Sequence, residues 1–158
     1  MLNLFKKEEF CVSCPVSGTL INLEDVPDEV FSKKMMGDGF AVIPQENATD
    51  IVAPISGKIT MVSETLHAVG IKTSNGLEIL IHIGIDTVKL EGQGFKSYVT
   101  NNQKVKRRQK LISFDPDYMK KNNINMTTMV IFVNGYDEDL KLLKEYNSLV
   151  NSEDILLR

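Results

Sequence analysis

Thr65-Leu66-His67-Ala68-Val69-Gly70-Ile71-Lys72-Thr73-Ser74-Asn75-Gly76-Leu77-Glu78-Ile79-Leu80-Ile81-His82-Ile83-Gly84-Ile85-Asp86-Thr87-Val88 reads as one β-hairpin and holds both histidines of the 158-residue chain. Asn75-Gly76 is a strong hairpin signal, because a type I′ turn needs positive φ at both central residues. A two-residue loop there pairs His82 with Val69 and His67 with Gly84. Val69 and His67 are two apart and share a face of the sheet. The two imidazoles are then diagonal neighbours, with Cβ atoms about 5–8 Å apart. A slip of one residue would separate them, so this expectation rests on the turn.

Paired imidazoles have a short list of uses. Each ring offers one nitrogen as nucleophile or metal ligand while the other is fixed by a hydrogen bond. Ile79, Leu80, Ile81 and Ile83 flank His82 and bury at least one face of its strand. Phosphoryl transfer and metal binding both fit such a pair at this point. A catalytic zinc site would need a third protein ligand, recruited from Asp86 or a cysteine. No His-x-His or His-Glu-x-x-His motif occurs.

The rest of the composition narrows the class. Charged residues make up 25% and hydrophobic residues 42% of the chain, as in an ordinary globular domain. A net charge of −3 argues against a general nucleic-acid partner. The basic run Lys104-Val105-Lys106-Arg107-Arg108-Gln109-Lys110 reads as a solvated strand or turn. No apolar run is long enough for an integral membrane segment. Residues 1–13 read as an N-terminal arm, and 14–158 as a single domain. The arm lacks the pattern of a signal peptide. Cys11-Val12-Ser13-Cys14 has no second cysteine pair to complete a zinc site and reads as two reduced thiols. A cytoplasmic compartment is expected.

Short strands are predicted at about 16–23, 40–44, 51–62, 67–73, 77–83, 111–114, 128–133 and 154–157. Gly, Asn and Pro punctuate them, which predicts an all-β antiparallel sandwich or barrel-like sandwich. Helical signals are short. Asp25 reads as a cap before Pro27, with Gly37 as the stop, and Asp115-Pro116 starts another turn. Asp137 to Tyr146 has helical spacing, or is an exposed connection. An internal duplication is visible. Cys14-Pro15-Val16-Ser17-Gly18-Thr19-Leu20-Ile21 is echoed by Ala53-Pro54-Ile55-Ser56-Gly57-Lys58-Ile59-Thr60, and Val105–Leu111 is echoed by Val150–Leu156.

Several of these stretches together resemble the glucose-family IIA domain of the bacterial phosphoenolpyruvate-dependent sugar phosphotransferase system. The resemblance is carried by Asp25-Val26-Pro27-Asp28-Glu29-Val30-Phe31, Gly37-Asp38-Gly39-Phe40-Ala41-Val42-Ile43-Pro44, Ala53-Pro54-Ile55-Ser56-Gly57, Thr65-Leu66-His67-Ala68, His82-Ile83-Gly84-Ile85-Asp86-Thr87-Val88 and Gly92-Gln93-Gly94-Phe95, in the family's order. It implies that His82 is phosphorylated, that His67 is its companion and that the Thr65 hydroxyl orients His67. It also implies a docking surface of Asp28, Val30, Phe31, Met35, Met36 and Asp86, with Gly84 allowing close backbone approach. The implied donor is a small phosphohistidine carrier protein (HPr). The implied acceptor is the IIB domain of a glucose-type sugar permease. Permeases or metabolic kinases are implied regulatory targets of the unphosphorylated form. No cofactor is expected, and zinc held by His67 and His82 at a partner interface is the one metal role left open.

The chain also departs from the family pattern. Arg108 and Glu153 stand where the family has turn glycines. At positive φ, each would cost about 1 kcal/mol. Ser63 and Leu80 replace aromatic residues near the histidines. The alternative to a phosphocarrier is a metal-binding or metallohydrolase protein using His67 and His82.

Overall fold

Period-two apolar patterning runs through most of the chain, and it is expressed as strands. The computed structural model describes residues 10–158. Its strands are β1 Val12–Ser13, β2 Gly18–Asn22, β3 Asp38–Pro44, β4 Asp50–Val52, β5 Gly57–Val62, β6 Ala68–Lys72, β7 Glu78–Ile83, β8 Phe95–Ser97, β9 Lys104–Val105, β10 Lys110–Phe114, β11 Thr128–Asn134, β12 Leu149–Val150 and β13 Ile155–Leu157. Two short helices, α1 Glu29–Ser32 and α2 Pro116–Lys121, and 3₁₀ turns at Leu23–Asp25 and Thr87–Leu90 join them. The all-β antiparallel class is as expected. The predicted strand 51–62 is two strands, interrupted at Pro54-Ile55-Ser56. β1, β8, β9 and β12 are too short to leave a periodic signal. Asp137 to Tyr146 forms no helix.

The largest sheet has eight antiparallel strands in the order β12-β2-β3-β11-β7-β6-β5-β9. β4-β10-β8 form a second sheet, and β1 pairs with β13. In β7, Ile79, Ile81 and Ile83 point into the main core while Leu80 and His82 point away. Val69, Ile71, Val130, Phe132, Phe40, Val42 and Leu20 join the three isoleucines in that core. A smaller apolar cluster covers part of the other face. Ile21, Ala41, Met129 and Ile131 meet Leu23, Val26 and Phe31, which arrive from the segment around α1. Cross-strand register places Ile21, Ala41, Met129, His82 and Ala68 in one row across five strands. His82 therefore stands at the border of this second cluster.

The duplication has a physical counterpart in matched hydrogen bonds. Ser17 Oγ accepts from Ser152 N–H at 2.9 Å, and Ser56 Oγ accepts from Arg107 N–H at 2.8 Å. Cys14 N–H donates to the Asp154 carbonyl at 3.0 Å, and Ala53 N–H to the Gln109 carbonyl at 2.8 Å. The two Pro-x-Ser-Gly turns also bond to each other's flanks, through Ser13 N–H to Pro54 O and Val52 N–H to Pro15 O, both at 2.8 Å. Arg108 does sit at positive φ, +77°, whereas Glu153 is not among the positive-φ residues. Arg108 Nη2 donates to the Glu153 carbonyl at 3.0 Å, so the two departures from the glycine pattern touch.

Two expectations require correction here. Strand pairing starts earlier than position 14, because Val12 and Ser13 are buried and pair with β13. Residues 1–9 of the expected arm lie outside the described residues. The hairpin register is also one residue away from the expected one. Ala68, not Val69, faces His82. The loop holds three residues, closed by Thr73 N–H to Leu77 O at 2.9 Å. Gly76 has φ +94°, while Asn75 is not among the positive-φ residues, so a type I′ turn is not formed. The Thr73 hydroxyl decides this. It accepts from Leu77 N–H at 3.1 Å and donates to Asn75 Oδ1, which leaves Gly76 alone to take the left-handed position of a three-residue hairpin.

Candidate functional site

Strict alternation in the observed register would put His67 and His82 on opposite faces. They are nonetheless neighbours, with ring centroids 5.1 Å apart and planes at 76°. His67 precedes β6 and belongs to the turn that follows β5. Leu66, at φ +62°, bends the chain there. The His67 carbonyl still accepts from Ile83 N–H at 2.7 Å, and the imidazole turns over the end of β6 towards His82.

Each ring is fixed through Nδ1. His82 Nδ1 lies 3.0 Å from the Gly84 carbonyl oxygen. A carbonyl only accepts, so this nitrogen carries the proton and the Nε2 lone pair is free. His67 Nδ1 lies 2.6 Å from Thr65 Oγ1 and 3.3 Å from Ser63 Oγ. Both Nε2 atoms are left for chemistry. Phe31 packs on the His82 ring at 4.8 Å between centroids.

The loop after β7 is held so that the Gly84 carbonyl can serve. Gly84 N–H donates to Thr127 O at 3.1 Å and Ile85 N–H to Asn125 O at 2.8 Å. The Thr87 hydroxyl, fully buried, donates to the Ile83 carbonyl. Gly84 has φ +81°, and a Cβ there would lie 2.4 Å from Thr87 Cγ2. Close packing as well as left-handed backbone thus requires glycine. Nothing in the sequence pattern identified Thr87 as part of this support.

Burial pushes the His82 imidazole below its ordinary range, and neighbouring His67 adds to the effect. The Gly84 carbonyl, Asp28 and Asp86 oppose it. Burial likewise lowers His67. Both rings are neutral at neutral pH, which is the nucleophilic form. Asp28 is half-buried and caps α1, its Oδ1 accepting from Val30 N–H at 2.9 Å. The cap is therefore Asp28 rather than Asp25. Asp86 is exposed, in the left-handed region at φ +56°.

The six residues expected to form a docking surface do not share one environment. Val30 is 41%, Met35 71% and Met36 40% exposed. Phe31 is only 5% exposed. It alternates inward on a single helical turn and forms a wall under His82, so it supports the site from beneath. Among the described residues, no group of three or more His, Cys, Asp and Glu is arranged to hold a metal ion. Cys11 and Cys14 are both free. Cys14 is buried, donates to the Val16 carbonyl at 2.9 Å, and is pushed up to about 12 by burial. It is an inert core thiol.

A family model described as the phosphoenolpyruvate-dependent sugar phosphotransferase system, EIIA 1, matches residues 11–137. The chain is 50% identical over 127 residues to the glucosamine-specific EIICBA component of Bacillus subtilis, covering 80% of this chain and 20% of that protein. It is 43% identical over 140 residues to the glucose-specific EIIA component of Mycoplasma capricolum, covering 89% and 90% of the two chains. The solved structure of glucose permease IIA from Mycoplasma capricolum superposes with a TM-score of 0.84 at 40% identity, covering 97% of each chain.

Proposed function

Because this chain belongs to the EIIA family of the phosphoenolpyruvate-dependent sugar phosphotransferase system, we propose that its phosphocarrier role runs through His82 Nε2. The protein is a phosphotransferase component of that system. The observation that carries the residue assignment is the 3.0 Å contact of His82 Nδ1 with the Gly84 carbonyl, which frees Nε2 beside a second imidazole.

The transfer balances without further reagents. The His82 Nε2 lone pair attacks the phosphorus of a donor phosphohistidine. A new N–P bond forms as the donor's N–P bond breaks, and the donor imidazole regains its electron pair. The same exchange in the forward direction passes the group to an acceptor on the IIB domain of a sugar permease. Such transfers depend on positioning and on stabilising spread negative charge. A His67 Nε2–H donor beside His82 supplies that stabilisation. Thr65 orients His67 through its 2.6 Å contact.

The proposed donor is a small phosphohistidine carrier protein with a basic, partly apolar face. Exposed Val30, Met35 and Met36 supply apolar contact, and Asp28 and Asp86 supply charge complementarity. Methionine adapts its shape, which suits a surface used by successive partners. No helix among the described residues is long and apolar enough to cross a membrane. We place the protein in the cytoplasm, where such a carrier would meet both donor and permease. Incubation with phosphoenolpyruvate and the two general phosphotransferase proteins, followed by peptide mapping, tests the assignment. A phosphoryl group on His82 is expected, and one mapped to Ser, Thr or His67 would overturn it.

A further inference from the structure

The turn between β5 and β6 aims two hydroxyls at one ring nitrogen. Thr65 Oγ1 lies 2.6 Å from His67 Nδ1, and Ser63 Oγ lies 3.3 Å from the same atom. Ser63 is not free to swing away. Its N–H donates to the Ala68 carbonyl at 3.0 Å, and its Oγ accepts the Ala68 N–H at 3.1 Å. A serine hydroxyl has one proton and two lone pairs. With one lone pair engaged by Ala68, the hydroxyl keeps its proton and its second lone pair for His67, and the ring tautomer decides which is used.

We infer that Ser63 is a second positioning residue, which together with Thr65 holds His67 as the tautomer protonated on Nε2. A neutral imidazole has one N–H and one bare nitrogen. Were Nδ1 protonated, its single proton could satisfy one hydroxyl. The protons of both Ser63 and Thr65 would then have no acceptor among the described residues. With Nδ1 bare, Thr65 at 2.6 Å donates to its lone pair directly and Ser63 at 3.3 Å shares that lone pair as the weaker, second donor. Hydrogen-bond satisfaction therefore favours Nε2–H, which is the form able to donate to a phosphoryl oxygen on His82. The functional consequence is redundancy: neither hydroxyl alone is indispensable to the ring. This consequence rests on the phosphocarrier reading above, whereas the tautomer does not.

The test is ring-nitrogen NMR of ¹⁵N-histidine-labelled protein at about pH 8, where neutral imidazole dominates. Wild type should show His67 protonated on Nε2. Thr65→Val, in which Ser63 is intact, should keep Nε2–H as the major form. Adding Ser63→Ala to it should release the ring to a mixture of tautomers, while Ser63→Thr should preserve the wild-type pattern. Transfer to a IIB domain should fall about fivefold when one hydroxyl is lost, the rate equivalent of one hydrogen bond. Loss of both should lower it to the level of His67→Gln. Protonation of His67 on Nδ1 in wild type would overturn the inference. So would a complete tautomer switch in Thr65→Val alone, which would show that Ser63 contributes nothing. Failure of His82 to take a phosphoryl group would defeat the functional reading, and the ring shifts would still decide the role of Ser63.

Discussion

Gly84→Ala is the sharpest perturbation of the site, because one methyl group meets two independent obstacles. The residue sits at φ +81°, where an L side chain costs about 1–2 kcal/mol. The new Cβ would also lie 2.4 Å from Thr87 Cγ2 and 3.2 Å from both Asn125 O and Met126 Sδ. Thr87 is fully buried and its hydroxyl is held by Ile83, so it cannot move aside without losing that bond. Overpacking of this kind costs about 1–3 kcal/mol. Together the expected loss of stability is about 2–5 kcal/mol, measured as a shift in urea midpoint at unchanged slope. The same shift of backbone withdraws the carbonyl from His82 Nδ1, so phosphoryl acceptance should slow in whatever fraction remains folded. A variant within about 0.5 kcal/mol of wild type would show that the loop after β7 is not the rigid support described here.

The observed register makes Ala68 the direct partner of His82, so His67→Ala combined with Ala68→His should place an imidazole opposite His82 on its own face; retention of part of the transfer to a IIB domain, above the level of His67→Ala alone, checks this, and equal loss would refute it. Asp28→Lys with Asp86→Lys should slow phosphorylation by the carrier protein at low salt and much less at high salt, since steering between charges is screened; stopped-flow kinetics unchanged in both buffers would remove these carboxylates from the interface. Both histidines are held below their ordinary value of 6.5 in the folded protein. The unfolded chain therefore binds more protons just below that pH, and this share of stability is present above 6.5 and is lost as pH falls from there through the lower folded values. Denaturant midpoints should fall on acidification through that window less steeply in His67→Gln/His82→Gln than in wild type; identical profiles would contradict the burial of the rings.

The fold class was legible because long alternating runs such as Ile79-Leu80-Ile81-His82-Ile83 leave little choice of structure. The repeated Pro-x-Ser-Gly turns were legible too, since their serines and glycines perform the same local task twice. The hairpin register was not. Asn75-Gly76 favours a two-residue loop in isolation, but the Thr73 hydroxyl stabilises a longer one. The histidines are neighbours in a register other than the one Asn75-Gly76 suggests, because the His67 ring turns over the end of β6 rather than following strict alternation. Phe31 could not be assigned to core or surface by pattern, because a four-residue helix is too short to show a period. The support of Gly84 by Asn125, Thr127 and Thr87 is long-range in part and has no local signature.

The central claim is that His82, and no other residue, receives the phosphoryl group. Intact mass of wild type, His82→Gln and His67→Gln, each incubated with phosphoenolpyruvate and the two general phosphotransferase proteins, puts it to the test, with a transition-metal-selective chelator included to remove zinc. One acid-labile phosphoryl group is expected on wild type and on His67→Gln, and none on His82→Gln. A phosphorylated His82→Gln protein, or a wild type that takes up nothing while the accompanying carrier is phosphorylated, would contradict the account.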